Sequence, residues 1–411
     1  MATQSIASTR SEKRVLLLVE SSRAYGRGCL QGIASYLRTH PEWEAVHLER
    51  GLSENVPREV RRQPFDGVIA RIENRTIEKT LAEMNVPVVD LRGMITPSGG
   101  VAFDTDPVAC AEKAFEHFSE RGFRHLAFCG YQGLAFSDER CAGFCDLADA
   151  QGVSVHVYES GARNDRTRLN DTIAREANGE HPEREMIQWI SALPSPIGLF
   201  ACNDIRGRQV LRAVQLAGRV SPEEIAVLGV DDDEVICELA HPSMSSIEPD
   251  TYRMGFEAAQ TLSRLMDGEA IEEQRILIPP TRVMVRQSTD LLAVEDPEVA
   301  KAIHLIRSKA FDGISVAEVA NHLAISRVTM ERKFRAVLGR SPREEIERVR
   351  INQVRLLLTE TNYSLSKIAR MTGFSNDSYL VTAFRRHETC TPGQYRKQLK
   401  GAAAPGNASE E

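Results

Sequence analysis

Nowhere in these 411 residues do eighteen apolar residues run together, so nothing in the sequence reads as a membrane-spanning helix. Met1 to Arg14 is polar and lacks the apolar core of a secretory signal, which makes the cytoplasm the expected compartment. The eight cysteines (29, 110, 129, 141, 145, 202, 237 and 390) include no CxxC pair, and no HExxH is present. Neither a disulfide framework nor a zinc site is indicated, and no cofactor is expected.

The chain is too long for one small core, and two or three domains are expected. A net charge of −7 conceals an asymmetry. From Pro297 to Lys400 there are 19 Lys and Arg against 10 Asp and Glu, a balance of +9, while the remainder holds 32 and 48, a balance of −16. A basic C-terminal domain on an acidic body is the electrostatic footprint of a polyanion-binding module, although a basic face can also be merely solvated.

In the basic part, Val319, Ala320, Leu323 and Ile325 follow a helical apolar spacing that breaks and restarts at Val328, Phe334 and Leu338. Ser315 and Glu318 form a capping box, and Ser326 suits the cap of a second helix. The spacing predicts a helix-turn-helix with a support helix over Ser315–Leu323 and an exposed helix over Ser326–Val337. Forty-nine residues later the pattern returns: Ser315, Val319, Ala320, Ile325 and Ser326 align with Ser364, Ile368, Ala369, Phe374 and Ser375. The small alanines let paired helices cross closely. Ser341 and Pro342 open a long amphipathic helix between the copies. Two such units can place recognition helices in adjacent major grooves, about 34 Å apart. The competing reading is a helical bundle used only for dimerisation.

The run from Ile368 through Gly373, Phe374, Ser375, Asn376, Tyr379, Phe384 and Arg385, followed by Thr391, Pro392, Tyr395 and Arg396, resembles the AraC-type DNA-binding signature. The likeness covers about a hundred residues. It departs from the usual pattern at Leu380, where Phe is common, at Arg385, where Lys is common, and near Cys390, where Gly is common. The resemblance implies double-stranded operator DNA as a partner, with recognition helices over Ser326–Val337 and Asn376–His387. Ser326, Arg327, Thr329, Arg332, Asn376, Tyr379 and Arg385 are the expected DNA contacts. RNA polymerase is a further expected partner.

The acidic body alternates short apolar runs with helical stretches. The runs are Val15–Val19, Gly67–Ala70, Val86–Asp90, Val101–Phe103, His125–Phe128, Val153–Val157, Gly198–Phe200 and Ile225–Val230. This predicts α/β architecture with doubly wound parallel sheets in two lobes, a cleft between them, and an all-α C-terminal domain of two helix-turn-helix units. Polar residues cluster after strands, where such folds hold ligands. Asn203 and Asp204 follow one run, Asp231, Asp232 and Asp233 another, and Asp104 and Asp106 a third; Phe136 and Arg140 open a helix. Carboxylates to accept from hydroxyls, an Arg to donate and an aromatic face are what a sugar site needs. Taken singly, each acid reads sooner as a helix cap; as a set at equivalent strand ends, the ligand reading is the better one.

Asn203-Asp204, Arg140 with Gly143 and Phe144, and Gly229 with Asp231 and Asp232 resemble the effector domain of LacI-type repressors, a periplasmic-binding-protein-like fold. That sensor ahead of an AraC-type tail is similar to the arrangement of the XylR-type xylose-operon regulators, with matches over nearly residues 14–398. The resemblance implies an aldose effector, xylose first, an activator and a homodimer. The expected ligand residues are Tyr25, Arg27, Phe136, Arg140, Asp204, Asp231 and Asp232. The family has Asn at the positions of Asp232 and Pro107 and Trp at that of Phe136, so another pentose or aldose stays open. The expected organisation is a flexible segment 1–13, a sensor 14–286, a linker 287–296, a DNA-binding domain 297–400 and a disordered tail 401–411.

Two other readings stand beside this one. Gly26, Gly28 and Gly32 after the first strand approximate the dinucleotide fingerprint, with Glu49 ending a second strand, as in an NAD-linked oxidoreductase. Alternatively, the sensor has lost its ligand and only dimerises.

Overall fold

The computed structural model describes residues 13–49, 51, 54–93, 95–97, 99–159, 182–291, 293–294 and 296–402. The segments expected to be flexible or disordered lie outside them, except Lys13, Gly401 and Ala402. The chain forms two compact units, Met1–Ala293 and Val294–Glu411.

In the first unit the described strands are β1 (Lys13–Leu18), β2 (Trp43–His47), β3 (Gly67–Ala70), β4 (Val88–Asp90), β5 (Val101–Thr105), β6 (Leu126–Cys129), β7 (Val155–Val157), β8 (Ile197–Ala201), β9 (Ile225–Val230), β10 (Ser245–Glu248), β11 (Arg275–Ile278) and β12 (Arg282–Met284). They assort into two six-stranded sheets, ordered β11-β5-β4-β3-β1-β2 and β12-β10-β9-β8-β6-β7. The pairs are parallel, except β10 with β12. All of β8 and β9 is buried, because helices cover both faces, and this is why the strands read as unbroken apolar runs. Two doubly wound lobes are therefore present, as the alternation predicts.

The lobes are interleaved rather than consecutive. The chain leaves the first sheet after β5 to form the helix Pro107–Glu120, whose Cys110, Ala114 and Phe118 join the core of the second lobe. It returns after β10 through the helix Thr251–Met266, whose Met254, Ala258 and Leu262 lie in the first lobe's core. It crosses a third time from β11 to β12 by way of Pro279 and Pro280.

Of the glycines of the approximate dinucleotide fingerprint, Gly26 lies against the Glu20 carbonyl, while Gly28 and Gly32 serve helix packing. A Cβ on Gly32 would lie 2.0 Å from the Tyr252 carbonyl oxygen, and one on Gly28 would lie 1.9 Å from Thr251 Oγ1. Gly255 answers from the other helix, where a Cβ would meet the Cys29 carbonyl at 2.0 Å. The helix Ala24–Leu37 is thus pressed backbone to backbone on Thr251–Met266.

The stretch read as a linker from 287 is pinned to the second lobe. Ser288 and Thr289 are fully buried. Ser288 Oγ donates to the Val227 carbonyl at 2.5 Å, and Thr289 Oγ1 donates to Ser245 Oγ at 2.7 Å. His117 Nε2 meets Thr289 Oγ1 at 2.8 Å, and Arg121 Nε donates to the Thr289 carbonyl at 3.0 Å. The Ser288 hydroxyl takes a β9 carbonyl and the Thr289 hydroxyl takes the Ser245 hydroxyl at the start of β10, so the segment belongs to the sensor, and the division falls at Ala293.

The second unit comprises helices Pro297–Lys309, Val316–His322, Arg327–Leu338, Pro342–Glu360, Leu365–Met371, Asp377–Glu388 and Pro392–Ala402. The Ser315–Glu318 capping box forms as predicted, and Ser341 and Glu344 make another. The repeat is 49 residues in the support helices but 50 in the recognition helices. Ser326 caps one, and Asn376, not Ser375, caps the other. Gly373, at φ +72° and against the Ala310 carbonyl, lies in the longer second turn. Beyond it, Leu380 and Phe384 take the buried places of Met330 and Phe334.

Candidate ligand cleft and nucleic-acid interface

The strand ends of both sensor lobes face one cleft, whose empty volume is about 650 Å³ counting the solvent at its mouth. Arg23, Ala24, Tyr25, Arg71, Arg92 and Asp104 line it from the first lobe. Phe136, Arg140, Asn203, Asp204, Ile205, Asp231, Asp233 and Ile236 line it from the second.

Asp204 begins the helix Asp204–Leu216 directly after β8 and is 1% exposed. Its Oδ2 accepts from the Asp233 amide at 2.9 Å and from Cys237 Sγ at 3.4 Å, and its Oδ1 from Ser246 Oγ at 2.5 Å. Gly229 leaves the room: a Cβ there would sit 2.3 Å from Asp204 Oδ1. Burial, then the neighbouring Asp231 carboxylate, holds the Asp204 carboxyl well above its ordinary pKa. Asp104 is likewise raised by burial, against Arg140 and Arg275. Burial also keeps the Tyr25 phenol protonated well above its usual range, so it is a neutral donor.

Arg140, on the helix Ala135–Ala150, is buried and donates to the Cys202 carbonyl at 2.5 Å. Its guanidinium lies 5.3 Å from the Phe136 ring, and that of Arg92 lies 5.7 Å from the same ring. Phe136 thus has a cation of each lobe within reach of its ring. Arg71 pairs with Glu20 and stacks 4.7 Å from the Tyr25 ring. Arg92 pairs with Glu73 at 3.3 Å.

Besides the Arg92–Phe136 contact, hydrogen bonds of Asp233 and Arg275 tie the lobes beside the cleft. The helix Ala24–Leu37 has no side-chain cap of its own, and Asp233 Oδ2 of the other lobe accepts the Ala24 amide at 3.0 Å. Arg275, on β11, bonds Asp104 at 3.1 Å and Glu139 of the second lobe at 3.0 Å.

Of the residues expected at the ligand, Tyr25, Phe136, Arg140, Asp204 and Asp231 meet in this cleft. Arg27 and Asp232 are not among its lining. Arg27 is exposed and donates to the Ser21 carbonyl at 2.9 Å. Asp232 turns to Arg286, pairing at 2.7 Å. The reason is backbone: Asp231 and Asp232 have φ of +114° and +46°, which re-aims the acid run so that Asp233 reaches the cleft. Sequence reasoning missed Arg71 and Arg92, and noted Asp233 at a strand end without expecting it at the ligand. The first two stand at or just beyond the ends of β3 and β4, where the strand-end rule would have found them.

In the helical unit, Arg327, Arg332 and Arg335 are exposed on Arg327–Leu338, as are Asp377, Ser378, Thr382 and Arg385 on Asp377–Glu388. Arg327 is tied to Glu331 at 3.0 Å. Ser326 Oγ accepts from the Thr329 amide at 3.0 Å and meets Thr329 Oγ1 at 2.8 Å. Asn376 Oδ1 accepts from the Tyr379 amide at 2.8 Å. These three polar groups are therefore engaged at the helix starts, although Ser326 and Asn376 remain exposed. Tyr379 is turned inward: its hydroxyl donates to Glu347 at 2.5 Å and accepts from Arg343 at 3.0 Å.

Known sequence families match in three successive pieces. They are an XylR N-terminal domain over residues 14–98, a periplasmic binding protein-like domain over 115–289 and a helix-turn-helix domain over 319–398. A cleft-bearing two-lobed sensor followed by such a domain defines a ligand-responsive transcription regulator. The xylose operon regulatory protein of Escherichia coli (strain K12) is 30% identical over 390 residues, spanning 93% of this chain and 96% of that protein. That of Haemophilus influenzae is 27% identical over 395 residues, spanning 94% and 99%. The solved structure of the xylose-binding transcription activator xylR superposes with a TM-score of 0.75 at 30% identity, over 94% of this chain and 98% of that one. The chain belongs to the family of xylose operon regulatory proteins. Its relatives are regulators, which removes the oxidoreductase reading.

Proposed function

We propose that an aldopentose, xylose first, binds between the sensor lobes and switches the protein's action at its operator to activation. The observation that carries this reading is the convergence of Asp104, Asp204, Asp231 and Asp233 with Arg140, from both lobes, on one cleft. Asp231 and Asp204 accept from sugar hydroxyls, Arg140 donates to them, and Phe136 and Tyr25 offer apolar faces to the C–H surface. A ligand that touches both lobes favours the closed arrangement over the open one, and only that difference in affinity moves the equilibrium.

At the DNA, Arg332 and Arg327 enter the major groove, Ser326, Thr329 and Asn376 contact the backbone near the helix starts, and Arg385 holds phosphate. Tyr379 acts through Arg343 and Glu347 rather than by contact. The protein works as a cytoplasmic homodimer that recruits RNA polymerase.

A thermal-shift panel of xylose, arabinose, ribose, glucose and fucose tests the sensor. A selective rise with xylose that disappears in Asp231→Ala supports the proposal. A rise with another sugar renames the effector, and no rise with any of them overturns the aldose reading.

A further inference from the structure

On the first recognition helix, Arg327–Leu338, Val328 is 79% exposed, the highest value among the exposed large hydrophobic side chains of the described residues. Nothing inside the domain explains an apolar, β-branched residue there. Valine is a weaker helix former than alanine or the long polar residues, and this side chain gains no burial in return. It lies in the first turn, next to the Ser326 cap, on the part of the helix that reaches base edges in a helix-turn-helix. Its surroundings are polar. The Arg327 side chain is drawn along the helix to Glu331 at 3.0 Å, while Arg332, one turn beyond Val328, is exposed and makes no ion pair among the described residues. Val328 and Arg332, at i and i+4, therefore stand side by side on the outward face.

The counterpart at the second unit is polar. With the 50-residue offset set by the Ser326 and Asn376 caps, Val328 corresponds to Ser378, exposed and hydrophilic. The apolar group is thus a property of the first unit alone and not of the scaffold.

We infer that Val328 is a specificity-determining residue that packs against the 5-methyl group of a thymine in the major groove. Thymine is the base whose major-groove edge carries a methyl, and an isolated apolar side chain is the complement of that group. Four helical residues rise about 6 Å and one base step about 3.4 Å. The thymine is therefore placed about two steps from the base read by Arg332, a guanine if Arg332 bonds bidentately.

The test uses the intact protein with saturating xylose and a duplex that the protein itself has selected from a random-sequence library. Each thymine of the selected site is replaced singly by 2′-deoxyuridine, which deletes the methyl and nothing else. Affinity is then measured for the wild-type protein and for Val328→Ala. One substitution in the first half-site should weaken wild-type binding about fourfold, the worth of one buried methyl-sized group. Val328→Ala, which keeps a single methyl, should lose most of that discrimination, with a melting temperature no lower than the wild type's. The inference is overturned if no thymine methyl matters to the wild type, or if Val328→Ala still discriminates thymine from uracil by the same factor. Failure to select any duplex would overturn it too, together with the DNA-binding reading of this helical unit.

Discussion

Gly229 is the residue on which the geometry of the cleft turns most sharply. A Cβ at this position would lie 2.3 Å from Asp204 Oδ1, so Gly229→Ala must push the carboxylate off its bonds with the Asp233 amide and Ser246. The expected outcome is a folded sensor whose xylose affinity falls about five- to a hundredfold by calorimetry, since a displaced bidentate acceptor forfeits about 1–3 kcal/mol. Arg27→Ala, outside the cleft, should bind as the wild type does; a tenfold loss there would show that Arg27 reaches the sugar. Much of this site was legible in the sequence, because Asp204, Asp231 and Arg140 stand at strand ends or open a helix there. What was not legible is which acid of Asp231, Asp232 and Asp233 faces inward. Two successive residues at positive φ decide that, and no side-chain type announces them. The cations around Tyr25 and Phe136 were equally hidden, since Arg71 meets Tyr25 only when β1 and β3 lie side by side, and Arg92 meets Phe136 only across the two lobes.

At the scale of elements, the caps and pins make separate predictions. Ser326→Ala removes the acceptor for the Thr329 amide and should cost about 1 kcal/mol in the thermal stability of the helical unit. His117, buried against Thr289, is pushed down to a pKa of about 3 by burial and then by Arg121. An unfolded histidine titrates near 6.5. The native state therefore binds fewer protons, so the stability tied to neutral His117 is present above about pH 6.5 and is lost as pH falls toward 3. His117→Gln should flatten that acid limb of the melting temperature, and an unchanged limb would assign the acid sensitivity elsewhere. The helix-turn-helix elements were readable because capping boxes and small crossing residues are local signals. β10 was not, because its Ser245 and Ser246 are fully buried yet polar, bonded to Ser288 and Asp204 far along the chain. For the same reason the linker was read as starting too early: Ser288 and Thr289 look like loop residues until the sheet margin that receives them is known.

For the whole molecule, the charge division should govern DNA affinity. The logarithm of the binding constant is expected to fall linearly with that of salt concentration. Arg385→Ala should lower the slope by about one and weaken all sequences alike. Arg332→Ala should relax preference at one base pair. If the two variants behave in reverse, the roles assigned to these arginines are exchanged.

The three crossings between the sensor lobes carry a consequence for how this chain can be cut and recombined. Neither lobe is a continuous piece of sequence, so no single cut releases one. Cleavage at Pro279-Pro280 would leave two covalent ties, after Thr105 and after Glu248, still joining the halves. The helical unit, by contrast, begins after the last crossing and hangs on one stretch of backbone at Ala293–Val294. Transplanting the reader of DNA onto another sensor takes one junction, whereas exchanging half of the sugar cleft takes three. Duplication and fusion can thus shuffle the output of this protein far more readily than they can divide its input.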